Sequence, residues 1–134
     1  MIELNESYVT TVAENKAKEF LSIDKNQIRK FYDDFKIIER KIDENQDAND
    51  AWFQKEILPH IKFVKSKIAY SAGRKSNNKF LVSREYKEYM DKEIDKIKTI
   101  SDFKTFLMHY QAIIAYYTYH SEVKDKSYQP KPNK

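Results

Sequence analysis

Five stretches of this chain carry apolar residues at intervals of three and four, the repeat that places side chains on one side of an α-helix. The first, Val9 to Leu21, turns Val12, Ala13, Ala17 and Phe20 inward. Ser22 or Asp24 then offers a cap, with Gln27 three residues after Asp24. The second runs from about Lys25 to Ile42 on Ile28, Phe31, Tyr32, Phe35, Ile38 and Ile42, with Arg29, Asp33, Lys36 and Arg40 opposite. A polar turn from Asp43 to Asp47 leads to a third helix that begins at Asn49 or Asp50 and stops at Gly73, the expected left-handed terminator. Its main stripe is Phe53, Ile57, Ile61, Val64, Ile68 and Ala72, and a second stripe, Trp52, Phe63 and Tyr70, points elsewhere. A helix apolar on two sides is central in its bundle or touches a partner as well. The second stripe therefore reads as helix contacts, inside the domain or between copies. Pro59 is expected to kink this helix.

Residues 74–83 read as a connection pinned to the core by Phe80, Leu81 and Val82. A fourth helix from Ser83 to Lys98 turns Tyr86, Tyr89, Met90, Ile94 and Ile97 inward, with Glu88 and Lys92 as an i,i+4 pair. Ser101 is the expected cap of a fifth, whose stripe is Phe103, Phe106, Leu107, Tyr110, Ile113, Ile114 and Tyr117. A second line on it is His109, Ala112, Tyr116 and Tyr119. From Val123 onward the chain reads as a disordered tail. The expectation is all-α: a single compact bundle of about five helices over residues 1–122, with a tail over 123–134.

Composition strengthens this picture. One glycine and three prolines in 134 residues leave little material for tight hairpins, and the length suits one domain. There is no cysteine, which excludes disulfides and thiolate metal sites. The first residues are acidic and no run approaches ~18 apolar residues, so neither a signal peptide nor a membrane span is expected, and a cytoplasmic location is. With 25 basic residues against 21 acidic, the formal net charge of +4 permits nucleic-acid binding without demanding it.

Catalytic chemistry finds little support. The chain has no Gly-rich phosphate loop and no nucleophile motif. His109 and His120 share a face but lie ~16 Å apart along it, too far for one metal ion or one proton relay. Asp33 and Asp34 point about 100° apart. Asp91 and Asp95, one turn apart, could hold Mg²⁺ weakly but read better as solvated surface charge. The expectation is no enzyme, no cofactor and no metal site.

The basic residues are more informative. His60, Lys67 and Arg74 recur seven residues apart, close to one line with about 20° of drift per step, and such a line suits a run of phosphates. Arg74 and Lys75 at a helix C-terminus also complement the macrodipole by roughly 0.3–1 kcal/mol, so they need no ligand to explain them. Arg29 and Lys30 sit near a helix N-terminus, where the dipole mildly disfavours them, and so point to a partner. Lys62, Lys65 and Lys67 can equally form a solvated face. Composition and spacing thus yield a basic helical bundle with interface to spare and no function.

Three segments go further: Gln-Ile-Arg-Lys-Phe-Tyr-Asp-Asp-Phe-Lys (27–36), Lys-Ser-Lys-Ile-Ala-Tyr-Ser-Ala-Gly-Arg-Lys (65–75) and Phe-Leu-Met-His-Tyr-Gln-Ala-Ile-Ile-Ala-Tyr-Tyr (106–117). In this order they resemble the small-subunit family of type III-A CRISPR (Csm) effector complexes, over about Lys25 to Tyr119. The resemblance implies an all-helical, non-catalytic subunit that stacks in several copies. It implies contact with guide RNA and target RNA without sequence preference, and with the backbone and large subunits of the complex. It points to Arg29, Lys67, Arg74 and Lys75 as RNA contacts, and helical geometry adds Lys36, Arg40, His60 and Lys62. The competing expectation is a purely structural helical adaptor whose basic patch meets an acidic protein.

Overall fold

The computed structural model describes residues 2–128, with side chains through residue 123. Four of the helices begin where a short polar side chain satisfies exposed N–H groups. Helix α1 is Thr11–Glu19, preceded by a 3₁₀ turn at Ser7–Val9, and α2 is Lys25–Asp43. Asp24 caps α2 by accepting from the Asn26 N–H at 3.0 Å. Asn49 caps a single turn, α3 (Asp50–Trp52), by accepting from the Trp52 N–H at 2.8 Å. A π-helical turn at Phe53–Ile57 joins α3 to α4 (Leu58–Gly73), so one helical run spans 50–73. The wide turn lies directly before Pro59, which lacks an N–H and would clash with the carbonyl one turn back in a regular α-helix. Pro59 is thus absorbed within a continuous run.

Ser83 caps α5 (Arg84–Asp95), accepting from the Tyr86 N–H at 3.1 Å. The last helix, α6, is Ile100–Tyr128. Its cap is not Ser101. Thr99 Oγ1 accepts from the Asp102 N–H at 3.1 Å while Asp102 accepts from the Thr99 N–H at 3.2 Å, a reciprocal capping box. Asp102 also accepts from the N–H groups of Lys98 (2.9 Å) and Ile2 (2.8 Å), which ties the chain's start to the base of α6. α6 continues past Val123, where the sequence reading begins a tail, and residues 129–134 of that tail lie outside the described residues. With 50–73 counted as one run, the expected five helices are present.

The apolar stripes meet in one core. Ala13, Ala17 and Phe20 of the first segment, Ile28, Phe31 and Phe35 of α2, and Ile61, Val64 and Ile68 of α4 are buried with Tyr86 and Met90 of α5 and Phe103, Phe106 and Tyr110 of α6. Phe35 packs edge-on against both Phe106 (ring centroids 5.1 Å) and Tyr110 (6.0 Å). Two α6 tyrosines anchor the start of α2: Tyr117 donates to the Ile23 carbonyl, and Tyr110 to that of Ile28 at 2.7 Å.

Three local expectations are corrected. Glu88 pairs with Arg84 (3.1 Å), the residue a turn before it, rather than with Lys92. Gly73 is the last residue of α4 and does not adopt a positive φ; the chain leaves the helix through Arg74 in extended conformation (φ −110°, ψ 137°). Residues 74–83 also contain a two-stranded antiparallel hairpin, β1 (Lys75–Ser76) and β2 (Lys79–Phe80). Asn77 and Asn78 turn it with φ of 58° and 65°, the double left-handed geometry of a type I′ turn. Val82, fully buried, pins this segment to the core, whereas Phe80 does not.

Candidate nucleic-acid interface

The face of α4 opposite Ile61, Val64 and Ile68 carries His60, Phe63, Lys67, Tyr70 and Arg74, at steps of three, four, three and four, all exposed. Basic residues and aromatics alternate along it. Lys67 Nζ lies 5.6 Å from the centre of the Phe63 ring. The Arg74 guanidinium lies 5.6 Å from that of Tyr70 and donates to the Tyr70 hydroxyl at 2.7 Å. The alternation continues into the hairpin, where Lys75 and Phe80 face each other in register and Lys75 Nζ is 5.1 Å from the ring centre. Such contacts hold long cationic side chains over rings at modest gain and leave their charge available to a ligand.

Phe63, Tyr70 and Phe80 are 60%, 63% and 49% exposed, so Phe63 and Tyr70 make no internal helix contact of the kind expected for them. Trp52, the third member of that stripe, is half-buried against the core. The repeat that makes α4 apolar on two sides therefore separates into one buried stripe and one that faces outward with cations between its rings.

A cleft of about 480 Å³ opens beside this stripe, lined by Lys30 and Asp34 of α2 and by Ser66, Lys67 and Tyr70 of α4. Asp34 stands 3.6 Å from Lys67 Nζ, a loose pair with both partners in contact with water. The cation that α2 brings to Lys67 is thus Lys30. Arg29, about 100° further round α2, lines a second cleft of about 710 Å³, between the start of α2 and α6, together with Lys25, Lys79, Tyr117 and Glu122. Lys79 donates to the Ser22 carbonyl at 2.6 Å, which docks the hairpin tip region against the α1–α2 connection. Arg29 and Lys67 therefore do not share one groove; they stand in separate clefts flanking the start of α2.

The other predicted positions divide by their partners. Arg40 and Arg74 are exposed and make no ion pair among the described residues, and the same holds for Lys75 and Arg29. His60 is exposed at the start of the stripe. Lys36 is held by Glu39 at 2.6 Å, the same carboxylate that Lys104 of α6 reaches at 3.0 Å, and Lys104 also binds Asp43 at 2.6 Å. The Glu39 hydrogen bond raises the Lys36 pKa above its ordinary value despite the cost of partial burial. Lys62 turns towards α5, donating to the Ile94 carbonyl (3.3 Å) and reaching Asp95 (3.4 Å), which Lys65 binds at 2.6 Å. Lys36 is engaged by a carboxylate of its own helix and Lys62 ties α4 to α5, so both are poorly placed to grip a ligand. Asp91 and Asp95 turn to different cations, Asp91 to Lys87 at 2.6 Å, and so do not converge.

Sequence reasoning left Lys79 aside and favoured Arg29 over Lys30. The signal for Lys30 was its place beside Arg29, but choosing between them requires the rotation of α2 against α4. Among the described residues, no helix is long and apolar enough to cross a membrane.

Comparison with known proteins gives one result that covers nearly all of this surface. Neither curated proteins nor solved structures yield a match. A family model described as Csm2 Type III-A matches residues 3–123, which include α1 to α5, the hairpin and most of α6. The chain belongs to the Csm2 Type III-A family and is thereby a small subunit of the type III-A CRISPR Csm complex, a partner of that complex's other subunits.

Proposed function

We propose that this subunit grips RNA in the complex through the outward stripe of α4 and the hairpin that follows, without reading sequence and without catalysing a reaction. Lys67, Arg74 and Lys75, joined by Lys30 across the cleft, contact phosphates of guide RNA or target RNA, with His60 at the far end of the line and Arg29 and Arg40 as outlying contacts. The carrying observation is the exposed run of Lys67, which has only a loose partner in Asp34, and of Arg74 and Lys75, which make no ion pair among the described residues. Long flexible ammonium groups suit phosphate oxygens, while base pairing between guide and target supplies sequence choice. Further copies of the chain stack beside it, a role for which exposed Ile37, Met108 and Tyr119 offer apolar area. Stacked copies on one strand multiply a weak single-copy affinity. The site of action is the cytoplasm.

The test is the double variant Arg74→Ala, Lys75→Ala, titrated with RNAs of unrelated sequence. Affinity should fall for all of them alike. A loss confined to one sequence would mean that these residues read bases, and no loss with the complex still assembling would mean that the basic face serves a protein contact instead.

A further inference from the structure

We propose that Phe63 and Tyr70 are stacking platforms for unpaired bases, so that the α4 face discriminates single-stranded RNA from duplex. This rests on the RNA-gripping role proposed above and adds to it the form of RNA that is held. Phe63 and Tyr70 are both more than half exposed on one face of α4, so their rings are open to a partner. The occupant is indicated by what surrounds them. His60, Lys67 and Arg74 interleave with the rings, and Lys30 stands across the cleft that Tyr70 lines. An apolar protein partner would have to desolvate Lys30, Lys67 and Arg74, whereas a polynucleotide brings a phosphate for each of these cations and a π-face for each ring.

The spacing suits this use. Phe63 and Tyr70 are seven residues apart, ~10.5 Å along the helix axis. At ~3.4 Å per stacked nucleotide that is about three steps, and His60, Lys67 and Arg74 repeat at the same interval. The rings are thus placed to end or interrupt a stack at intervals, with phosphates reaching the cations between. Each ring carries a cation at one side, 5.6 Å from its centre, and remains open elsewhere to a base. In a duplex the flat faces of the bases are already taken by their neighbours, so only the cations would engage it.

The experiment uses the full chain, a twelve-nucleotide single-stranded RNA carrying one 2-aminopurine, and the corresponding duplex. Stacking on a ring should quench the probe, and Phe63→Leu and Tyr70→Leu should each remove quenching and weaken single-strand binding roughly tenfold. Their salt dependence should match that of the unaltered protein, because no phosphate contact is lost. Duplex binding should change little. Both rings are exposed, and thermal unfolding of the variants checks that the fold is intact. Single-strand binding unchanged by Phe63→Leu and Tyr70→Leu, yet weakened by Arg74→Ala with Lys75→Ala, would overturn the stacking role and leave the cationic grip standing. Failure of the unaltered protein to bind either RNA, alone and in the assembled complex, would overturn the grip itself.

Discussion

Tyr110 has one proton to donate, and the Ile28 carbonyl receives it. The neighbouring Tyr86 hydroxyl, 2.6 Å away, must then donate to Tyr110. Both rings are buried, and burial pushes both phenols above the ordinary tyrosine range. The relay is directional, so its two ends differ. Tyr110→Phe strands the Tyr86 hydroxyl without an acceptor and frees the start of α2, and should cost about 1–3 kcal/mol. Tyr86→Phe leaves the Tyr110–Ile28 bond intact and should cost less; urea unfolding of the two variants gives the order. Two further buried residues contribute to the pH dependence. His109 is buried, stacked on Tyr8 at 3.7 Å, with Nδ1 on the Tyr8 carbonyl and Nε2 on the Tyr89 hydroxyl. Burial lowers its pKa, so the unfolded chain binds a proton more readily and stability declines as pH falls below ~6.5. Burial alone would raise the pKa of Asp102, but the N–H groups of Ile2, Lys98 and Thr99 outweigh it and hold the carboxyl below its ordinary value. Its contribution is complete above about pH 4 and lost as pH drops through the folded pKa. Unfolding free energy measured from pH 8 to 3 should decline in two steps, and His109→Gln should remove the first. Despite the burial of Glu39, lysines hold its carboxyl and that of Asp95 below their ordinary values, so both share the lower step with Asp102.

At the scale of elements, the caps explain what was readable in the sequence and what was not. Asp24, Asn49 and Ser83 act within three residues of themselves, so their helices start where local chemistry places them. Thr99 with Asp102 was equally local, but Ser101 hid it by standing two positions nearer the apolar stripe. The hairpin was missed because its left-handed turn is built from Asn77-Asn78, while the single glycine drew attention to the wrong position. Gly73 has an ordinary backbone, and a Cβ placed there meets nothing within 4 Å. Gly73→Ala should therefore be neutral to stabilising by about 0.4–1 kcal/mol in chemical denaturation, since it narrows the unfolded ensemble without strain. A loss of more than that would show that the end of α4 needs glycine after all. The outward stripe was half legible: spacing placed His60, Lys67 and Arg74 on one line and named the stripe that the core takes, but could not say whether Phe63 and Tyr70 would pack inside the domain or face outward. That choice is made by Ile28, Phe31 and Phe103 from elsewhere in the chain.

For the whole molecule, the decisive information is long-range. Lys62 meets Asp95 and Lys104 meets Glu39 across more than 30 positions, so no local pattern separates the cations that bind helices together from those left for a ligand. The fold sorts them, with Lys36, Lys62, Lys65 and Lys104 turned to carboxylates and Lys67, Arg74 and Lys75 set along the outer face of α4 and the hairpin. If Lys30, Lys67, Arg74 and Lys75 neutralise about four phosphates, log K against log salt should slope about −3 for single-stranded RNA. The most direct measurement is that slope for three proteins: the unaltered chain, Arg74→Ala with Lys75→Ala, and Lys36→Ala with Lys62→Ala. The first pair should make the slope shallower by roughly 1.4, and the second should leave it unchanged. An unchanged slope after loss of Arg74 and Lys75, or an equal change after loss of Lys36 and Lys62, would contradict a grip made by the α4 face.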